Sequence, residues 1–415
     1  METLPLFKNN KERKAFLLLI LTLFLTHLYF EFRTYEKIVK NEVFQTKGTI
    51  LNIYPKSTHQ VIKVKTDDFT FFTTIKNDLQ VNIYQDLKLT ILTQDITFTS
   101  YLKGFYTKNF NLYLYQVKEL PKQMIYNYIY SQHTSDDISS LYSALFLASS
   151  LTQDTRELAA QYGVSHLIAI SGFHLGIISF VLYFILHGLY HQIHKRLFPY
   201  RNKRFDLLLV VVMLLYSYLI FIDIPPSLLR AFVMFLFSLF LLRMNIKLIS
   251  FETLFIISII IIALFPKLLF SLSLWFSIAG VFYIFLFLQY FKRLHKIVQL
   301  LLFNFWIYFA INPITHYFFG ATSLEQLYSP LVTIAFSVFY PISALLHLFH
   351  IGDIFDPFIQ IVLDIKVQSI EVFTPFYFFI FYIIISLLSI IKKEAFVVLN
   401  FLLVGYSFWL YYLRF

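Results

Sequence analysis

Long apolar segments recur along most of this chain of 415 residues, and they restrict its fold more strongly than any other feature. Residues 205–222, 249–265 and 376–391 each approach the ~20 apolar residues with which a helix crosses a bilayer. Hydrophobic residues make up 58% of the chain and charged residues only 14%, too few to give a soluble protein of this length a polar surface. The sequence therefore predicts a polytopic α-helical membrane protein.

Clusters of lysine and arginine predict the orientation, because short basic loops stay in the cytoplasm. The first apolar segment, 15–32, follows four basic residues and lacks a small-residue cleavage site, so we predict an uncleaved anchor helix. With the N-terminus inside, six further spans keep the next three basic clusters inside, and the last cluster requires the segment 313–371 to cross twice or not at all. The spans lie near 164–190, 207–222, 228–242, 249–265, 268–290 and 297–311. The basic residues are Lys8, Lys11, Arg13 and Lys14; Lys195, Arg196, Arg201, Lys203 and Arg204; Arg243 and Lys247; Lys292, Arg293 and Lys296; and Lys392 and Lys393.

Residues 41–120 have a different pattern, in which short β-rich runs alternate with polar or turn-forming segments. About five such runs in under ~80 residues suit a small closed β-barrel, of which an OB-fold is one candidate. The runs are 48–54, 61–65, 69–75, 88–92 and 111–117. We therefore predict three parts: a cytoplasmic N-terminus with its anchor helix (1–40), an extracytoplasmic OB-fold-like β-barrel domain (41–120) and a transmembrane domain (121–415).

Small barrels of this kind bind single-stranded nucleic acid through basic and aromatic surface residues. The candidates for such contacts are Lys63, Lys65, Phe69, Phe71 and Tyr84. Acidic residues nearly balance the basic ones in this domain, however, and the alternating apolar residues are more simply explained as the core of the barrel.

The most informative polar stretch in the transmembrane domain runs from residue 163 to 176 and includes His166, Ser171, Gly172 and His174. Polar side chains at membrane depth are costly, and they usually face a cavity or a neighbouring helix. Gly172 lets the backbone deviate or lets a second helix approach closely. These residues alone leave open whether the histidines line a cavity or form hydrogen bonds between packed helices.

A second polar stretch joins two apolar segments at residues 223–230. Pro225 and Pro226 end one helix and begin the next, because proline is tolerated in a first helical turn. Arg230 is then predicted to lie about one turn inside the following span. A cation there, accessible from outside, suits a polyanion that enters a pore. Pairing with Asp223, or an extended side chain that reaches the lipid head groups, is the structural alternative.

Two further features concern helix packing. Ser273, Ser277 and Gly280 recur at near-helical spacing, which indicates a close contact between helices. Residues 141–151, which follow an amphipathic stretch, are apolar but too short to span, and they fit a re-entrant or interfacial helix.

Taken together, these stretches resemble the ComEC family of competence DNA-uptake channels. The resemblance covers nearly the whole chain. Its most specific motif, Gly-x-Ser-His-Leu-x-Ala-Ile-Ser-Gly-x-His, is matched at every defined position. The later Pro-Ser-x-x-Arg-Ala segment of the family is matched from Pro226 to Ala231, and its serine- and glycine-containing segment is similar to residues 270–280. The residues that match the first motif are Gly163, Ser165, His166, Leu167, Ala169, Ile170, Ser171, Gly172 and His174.

The resemblance implies an inner-membrane channel that carries single-stranded transforming DNA into a bacterial cytoplasm. It also implies pore roles for His166, Ser171, Gly172, His174, Asp223, Pro226 and Arg230. The sequence lacks the metal-binding motif of the metallo-β-lactamase-like domain that many family members carry, so degradation of the non-transported strand is assigned to another protein. The Asn-Leu pair found late in the family is replaced near Gln326 and Tyr328.

The energetics of transport predict the partners. Each DNA charge that crosses the full field of a negative-inside membrane costs ~2.3 kcal/mol per 100 mV. The chain has no phosphate-binding loop of the Gly-x-x-x-x-Gly-Lys type. We therefore expect a cytosolic ATP-driven motor or single-strand-binding protein to pull the DNA. The family resemblance adds a periplasmic receptor protein that delivers it. Beyond DNA and lipid, no cofactor, metal or catalytic residue is predicted, and the oligomeric state is left open.

Three alternatives remain from the residues alone. A small-solute secondary transporter is one, although no inverted repeat is evident. An intramembrane serine hydrolase built on Ser171 is another, but spacing places no acid or base partner for it. The third is a metal site at His187, His191 and His194, which share a helical face; because they lie where the span meets the basic loop, they are better explained as interfacial histidines.

Overall fold

The computed structural model describes residues 9–56, 58–79, 81–115, 121–197, 199–243 and 250–412. Lys8 and Lys247 of the basic clusters lie outside these residues, as do the end of the predicted run 111–117 and the predicted domain boundary at 120. The chain begins with helix α1 (Asn10–Val39), continues into a sheet domain, and ends in a helical membrane domain. The sheet domain contains β1 (Val43–Pro55), β2 (His59–Lys65), β3 (Thr70–Lys76), β4 (Asp86–Leu92), α2 (Phe98–Lys103), β5 (Phe105–Tyr106) and β6 (Asn109–Leu114).

Seven of the described helices are long and apolar enough to cross a membrane, which confirms the prediction of a multi-pass α-helical membrane protein. They are α1, α7, α8, α11, α12, α13 and α16. The predicted spans at 228–242 and 249–265 correspond to α9 and to the 14-residue α10, which are not among the seven. The helices of this domain are α3 (Pro121–Tyr130), α4 (Asp136–Leu147), α5 (Gln153–Gln161), α6 (Ser165–Ile168), α7 (Gly172–Leu197), α8 (Lys203–Phe221), α9 (Pro226–Arg243), α10 (Phe251–Leu264), α11 (Leu272–Phe291), α12 (Lys296–Phe318), α13 (Ser329–Leu348), α14 (Asp356–Asp364), α15 (Phe376–Leu388) and α16 (Lys393–Tyr411), with 3₁₀ turns at Pro266–Phe270, Leu324–Tyr328 and Gly352–Phe355.

The sheet domain is a six-stranded sheet in the order β5-β3-β2-β1-β4-β6. Its two edge strands, β5 and β6, follow each other in the chain, and the residues between them bond to both halves of the sheet. Thr107 N–H donates to Phe72 O at 3.0 Å, and Leu92 N–H donates to Lys108 O at 3.1 Å. Continuous strand pairing does not close the ring, so the expected closed barrel is wrong in this respect, whereas a small N-terminal β-domain is confirmed.

Polar contacts fix the anchor helix and the sheet domain to the membrane domain. His27 Nδ1 lies 2.8 Å from the carbonyl oxygen of Leu264 at the end of α10. Near the sheet domain, Glu31 accepts a hydrogen bond from the Tyr101 hydroxyl and forms a 2.8 Å ion pair with Lys267. Helix α1 therefore positions the sheet domain as well as anchoring it.

Two short strands connect the ends of the segment that the sequence left ambiguous. Strand β7 (Ala321–Thr322) pairs antiparallel with β8 (Ile370–Glu371). The chain between them includes α13 and α14, and it returns to the same end of the bundle at which it started. This return agrees with the requirement for an even number of crossings, or none, in 313–371.

Candidate functional site

The first family motif begins at a tight turn between α5 and α6. Gly163 has φ +65, a conformation that side chains with a Cβ rarely adopt, and a Cβ built here would lie 3.3 Å from Gln326 Cγ. The Ser329 hydroxyl donates to Gly163 O at 2.9 Å, and His166 Nδ1 lies 3.1 Å from the same oxygen. The motif is therefore built against the 3₁₀ turn that precedes α13.

Ser171 and His174 form the next part of the motif, at the start of α7. Ser171 N–H donates to His174 Nδ1 at 3.3 Å, so the imidazole hydrogen lies on Nε2. His174 is fully buried, and its Nε2 has no hydrogen-bond partner among the described residues. The aromatic edges of Phe336 and Tyr340 enclose the ring, with centroids 5.4 and 4.8 Å away. A buried N–H without a protein acceptor marks a place for water or a ligand.

The first and second family motifs are in direct contact. The Ser227 hydroxyl donates to Ile170 O at 2.6 Å, and a Cβ at Gly172 would lie 3.3 Å from the Cβ of Ala231. Helices α7 and α9 therefore approach closely at Gly172. Pro226 occupies the first position of α9, as the sequence predicts.

Arg230 is buried in the membrane domain, with 4% of its surface exposed. Its Nη1 donates to the Ser273 hydroxyl at 3.0 Å, and its Nε has no partner among the described residues. Ser273, predicted as a helix-packing residue, therefore binds the arginine across the α9–α11 contact. Ser277 is half-buried in α11, and a Cβ at Gly280 would meet only Ile311, at 4.0 Å.

Asp223 lies at the junction of the sheet domain and the membrane domain, and its ion pairs are with two lysines rather than with Arg230. Its carboxylate is 2.6 Å from Lys122 Nζ of α3 and 3.6 Å from Lys65 Nζ of β2. Asp223 and Ile224 are both left-handed, with φ +63 and +53, and this strain is held by the turn between α8 and α9. Pairing of Arg230 with Asp223, the alternative raised by the sequence, does not occur in this structure.

A cavity of about 680 Å³ opens beside this ion-pair cluster, within the size range of small-molecule sites. Lys47, Lys65, Tyr84, Lys122 and Asp223 are among its lining residues. Lys122 Nζ lies 4.1 Å from the centroid of the Tyr84 ring. Burial lowers the pKa of Lys122, and the neighbouring Asp223 carboxylate opposes that shift. Tyr84 is thus buried beside Lys122 at the cavity wall.

The outer face of the sheet corrects two of the predicted DNA contacts. Phe69 and Phe71 lie in the core, with 6% and 0% of their surface exposed, so neither aromatic ring is available at the surface. Phe72 points outward instead, because side chains alternate between the two faces of a strand. Lys63 pairs with it across β2 and β3, with Nζ 5.8 Å from the Phe72 ring centroid.

These outward side chains form what we call the outer row. It is completed by Asn52 on β1, which pairs with Lys63, and by Tyr106 on β5, which pairs with Phe72. Arg156 of the membrane domain lies 5.1 Å from the ring of the nearby Tyr54. The alternation of side chains along β3 could have identified Phe72, instead of Phe71, as the surface aromatic residue. No pattern in the local sequence predicts the contact of Arg156 with the sheet.

A buried polar network surrounds the turn at Gln326, where the family's Asn-Leu pair is replaced. The Gln326 amide donates to Ala160 O at 3.1 Å and to Ala321 O at 2.8 Å. Tyr411 OH donates to Gln326 Oε1 at 3.3 Å and accepts from Asn312. His316, one turn after Asn312 on α12, has a buried Nε2 without a partner among the described residues. Gln326 therefore connects the first family motif to the C-terminal helices.

Histidines in the C-terminal half of α7 lie beside a lysine rather than in a metal-binding arrangement. Lys203 Nζ is 3.3 Å from His187 Nε2 and 2.9 Å from His191 Nδ1. An ammonium group so close opposes a second cation. Over the ranges that the structure describes, no group of three or more His, Cys, Asp or Glu residues has the geometry of a metal site.

Comparison with known proteins supports the same family as the motifs. No curated protein and no solved structure matches the chain. A family model described as competence protein matches residues 147–414, more than half of the chain, and confirms the resemblance to the ComEC family. The matched region begins after the sheet domain and contains the motifs around His174, Arg230 and Ser273. The chain therefore belongs to the competence protein family.

Proposed function

We propose that this protein is the channel through which single-stranded transforming DNA enters the bacterial cytoplasm during natural competence. Membership of the competence family supports a role in DNA uptake, and the multi-pass architecture supports passage through a membrane. The observation that carries the proposal is the buried Arg230, whose Nε lacks a protein partner among the described residues. A buried guanidinium with unused donors is unfavourable unless water or an anion binds it, and phosphate is an anion that arginine binds well.

The arrangement of basic groups supports a route from the sheet domain to Arg230. The outer row presents Lys63 and Phe72 for backbone contact and base stacking. The cavity with Lys65 and Lys122 lies next, where the sheet domain meets α3 and the end of α8. Arg230 follows Asp223 by seven positions and lies one turn inside α9. In this proposal His174 and its unpartnered Nε2 line the hydrated path beside the arginine.

The proposed setting is the inner membrane, with the N-terminus in the cytoplasm and the sheet domain outside. The energy comes from a cytosolic ATP-driven motor or single-strand-binding protein, because transport of each phosphate against the potential is unfavourable. A periplasmic receptor delivers the DNA. We assign no catalytic step to this chain: Ser171 Oγ lies 3.3 Å from His174 Nδ1, but no carboxylate of the described residues bonds to His174 to complete a triad.

The test of the proposed function follows fluorescent double-stranded DNA in naturally competent cells that lack this protein. We expect DNA to reach a nuclease-protected state in the periplasm while none enters the cytoplasm, and transformation to be lost. Re-expression of the intact chain is the control. Normal cytoplasmic entry and transformation in the deletion strain would contradict the channel and favour a small-solute transporter.

A narrower prediction concerns the outer row. Phe72→Ala is expected to weaken binding of an oligothymidine strand to the full-length protein in nanodiscs about tenfold, because base stacking on an aromatic ring contributes ~1–3 kcal/mol. Fluorescence anisotropy at fixed salt measures the affinity. Phe110→Ala, which removes an exposed ring from β6, is the matched control and is expected to bind as the unmodified chain does. Equal affinities for all three proteins would remove the outer row from the DNA route.

A further inference from the structure

A second buried polar cluster lies apart from the family motifs, where the end of α3 meets the ends of α13 and α14. It consists of His133, His347 and Asp356. The His133 side chain is 0% exposed and the Asp356 side chain 14%, and His347 is also buried. His133 is 214 positions before His347 and 223 before Asp356, so only the fold brings the three together.

The hydrogen bonds determine where hydrogens lie on the two imidazole rings. His347 Nδ1 is 2.7 Å from Ser343 O, and because a carbonyl oxygen only accepts, this nitrogen carries a hydrogen. His133 Nδ1 is 2.9 and 3.0 Å from the two oxygens of Asp356, and it carries a hydrogen when that group is a carboxylate. The two remaining Nε2 atoms face each other at 3.0 Å. With both rings neutral, two lone pairs would meet at hydrogen-bond distance.

One additional proton removes this conflict. Placed on His133 Nε2, it is donated to His347 Nε2, and every nitrogen of the two rings then donates or accepts one hydrogen bond. We propose that Asp356, His133 and His347 form a buried proton-binding site. The site holds one proton in addition to those present when Asp356 is a carboxylate and both imidazole rings are neutral.

Charge and packing support this site. An ionised carboxylate in a buried position requires a counterion, and among the described residues the ion-pair partner of Asp356 is His133. The Tyr142 ring stacks on His133 with centroids 4.6 Å apart at 8°, a position that favours a positively charged imidazole. The basic residue on these elements, Lys122, lies at the other end of α3, where it pairs with Asp223. The other titratable groups are Tyr126, Tyr128 and Tyr130 on α3, Asp136, Asp137 and Tyr142 on α4, Tyr340 on α13, His350 and Asp353 after α13, and Asp364 on α14.

The site closes a contact between α3 and α13. Gln132 Nε2 donates to His347 O at 3.3 Å, and Gly352 N–H donates to Gln132 Oε1 at 2.9 Å. A Cβ at Gly352 would lie 2.7 Å from His347 Nε2, so only glycine lets the backbone cover the histidine pair. The other end of α3 is held by the ion pair of Lys122 with Asp223. The proton therefore stabilises one of the two attachments of the helix that follows the sheet domain.

The test compares the full-length protein with Asp356→Asn in detergent micelles. The asparagine amide donates to His133 Nδ1, the ring hydrogen moves to Nε2 and bonds to His347, and all hydrogen bonds form without an extra proton. On this proposal, the folded unmodified protein holds one proton that the unfolded chain, whose free histidines are neutral above about pH 6.5, does not hold. Its stability therefore falls as pH rises above that value, by up to ~tenfold in the unfolding constant per pH unit, until the folded site releases its own proton. Unfolding by SDS, followed by tryptophan fluorescence from pH 6 to 9, measures both profiles.

We expect Asp356→Asn to lack this decline. His347→Gln, whose amide can donate to His133 Nε2, is expected to lack it too and decides the matter if the first variant does not fold. Parallel pH profiles for the unmodified protein and the folded variants would overturn the proposal. So would an increase in the stability of the unmodified protein by Zn²⁺ at pH 8 that EDTA reverses, because a metal ion would then lie between the two nitrogens. Neither result depends on whether the chain transports DNA.

Discussion

Replacing Arg230 by glutamine is expected to lower the transformation frequency of a naturally competent strain by ~100-fold, while the amount of protein in the membrane stays the same. The guanidinium is buried one turn inside α9 and has one described hydrogen bond, to Ser273. At an effective dielectric constant near 20, a charge pair at 4 Å contributes ~4 kcal/mol, so loss of the cation removes a large attraction for each passing phosphate. Removal of a buried charge does not by itself destabilise the fold, because its desolvation cost disappears with it.

Two control variants separate this effect from others. Arg230→Lys keeps the charge but loses the planar fork, and we expect an intermediate loss of transformation. Arg204→Gln removes an exposed charge from the first turn of α8 and is expected to transform normally. Transformation frequency and immunoblots of membranes are measured for each strain. Normal transformation with Arg230→Gln would show that this cation does not face the DNA.

The sequence predicted the parts of the fold whose signals are local. Apolar length predicted five of the seven candidate spans, α1, α7, α8, α11 and α12, whereas α13 lies in the segment that was left ambiguous and residues 376–391 form the shorter α15. The runs 48–54, 61–65 and 88–92 fall within observed strands, and the run 69–75 begins one residue before β3. The helix break at Asp223 and the start of α9 at Pro226 followed from the backbone restrictions of proline. The family motif identified the segment around His174 and Arg230, but not the contacts that either side chain makes.

Contacts between distant parts of the chain had no such signal. Asp223 pairs with Lys65 only because the sheet domain is docked on the end of α8, and nothing near either residue encodes that docking. In the sequence, His133 and His347 each look like an ordinary polar residue near the end of a helix, and nothing indicates that they meet. The wrong prediction of Phe71 as a surface residue had a local cause. The alternation of side chains along β3 places Phe71 in the core, but the residue was chosen for its aromatic ring alone.

Substitution of Gly163 by valine is expected to reduce both the amount of protein in the membrane and the transformation frequency by at least ~10-fold. Gly163 has φ +65, and a β-branched residue in the left-handed region is strained by ~1–2 kcal/mol. The new side chain would also press on Gln326 Cγ, 3.3 Å from the position of its Cβ, and on Ser329 Cβ at 3.6 Å. Strain and overlap together amount to ~2–4 kcal/mol, enough to expose a marginally stable membrane protein to proteolysis.

A control must show that the loss comes from the position of Gly163 and not from replacing any glycine by valine. A Cβ at Gly188 on α7 meets nothing within 4 Å, so Gly188→Val is the matched control and is expected to leave abundance near that of the unmodified chain. Asparagine tolerates the left-handed conformation, and Gly163→Asn is expected to lose less protein than Gly163→Val. Immunoblots of membranes and transformation frequencies give both readouts. Normal accumulation and transformation of Gly163→Val would show that the turn does not depend on its contact with Gln326. The first motif would then not need its connection, through Gln326 and Tyr411, to the C-terminal helices.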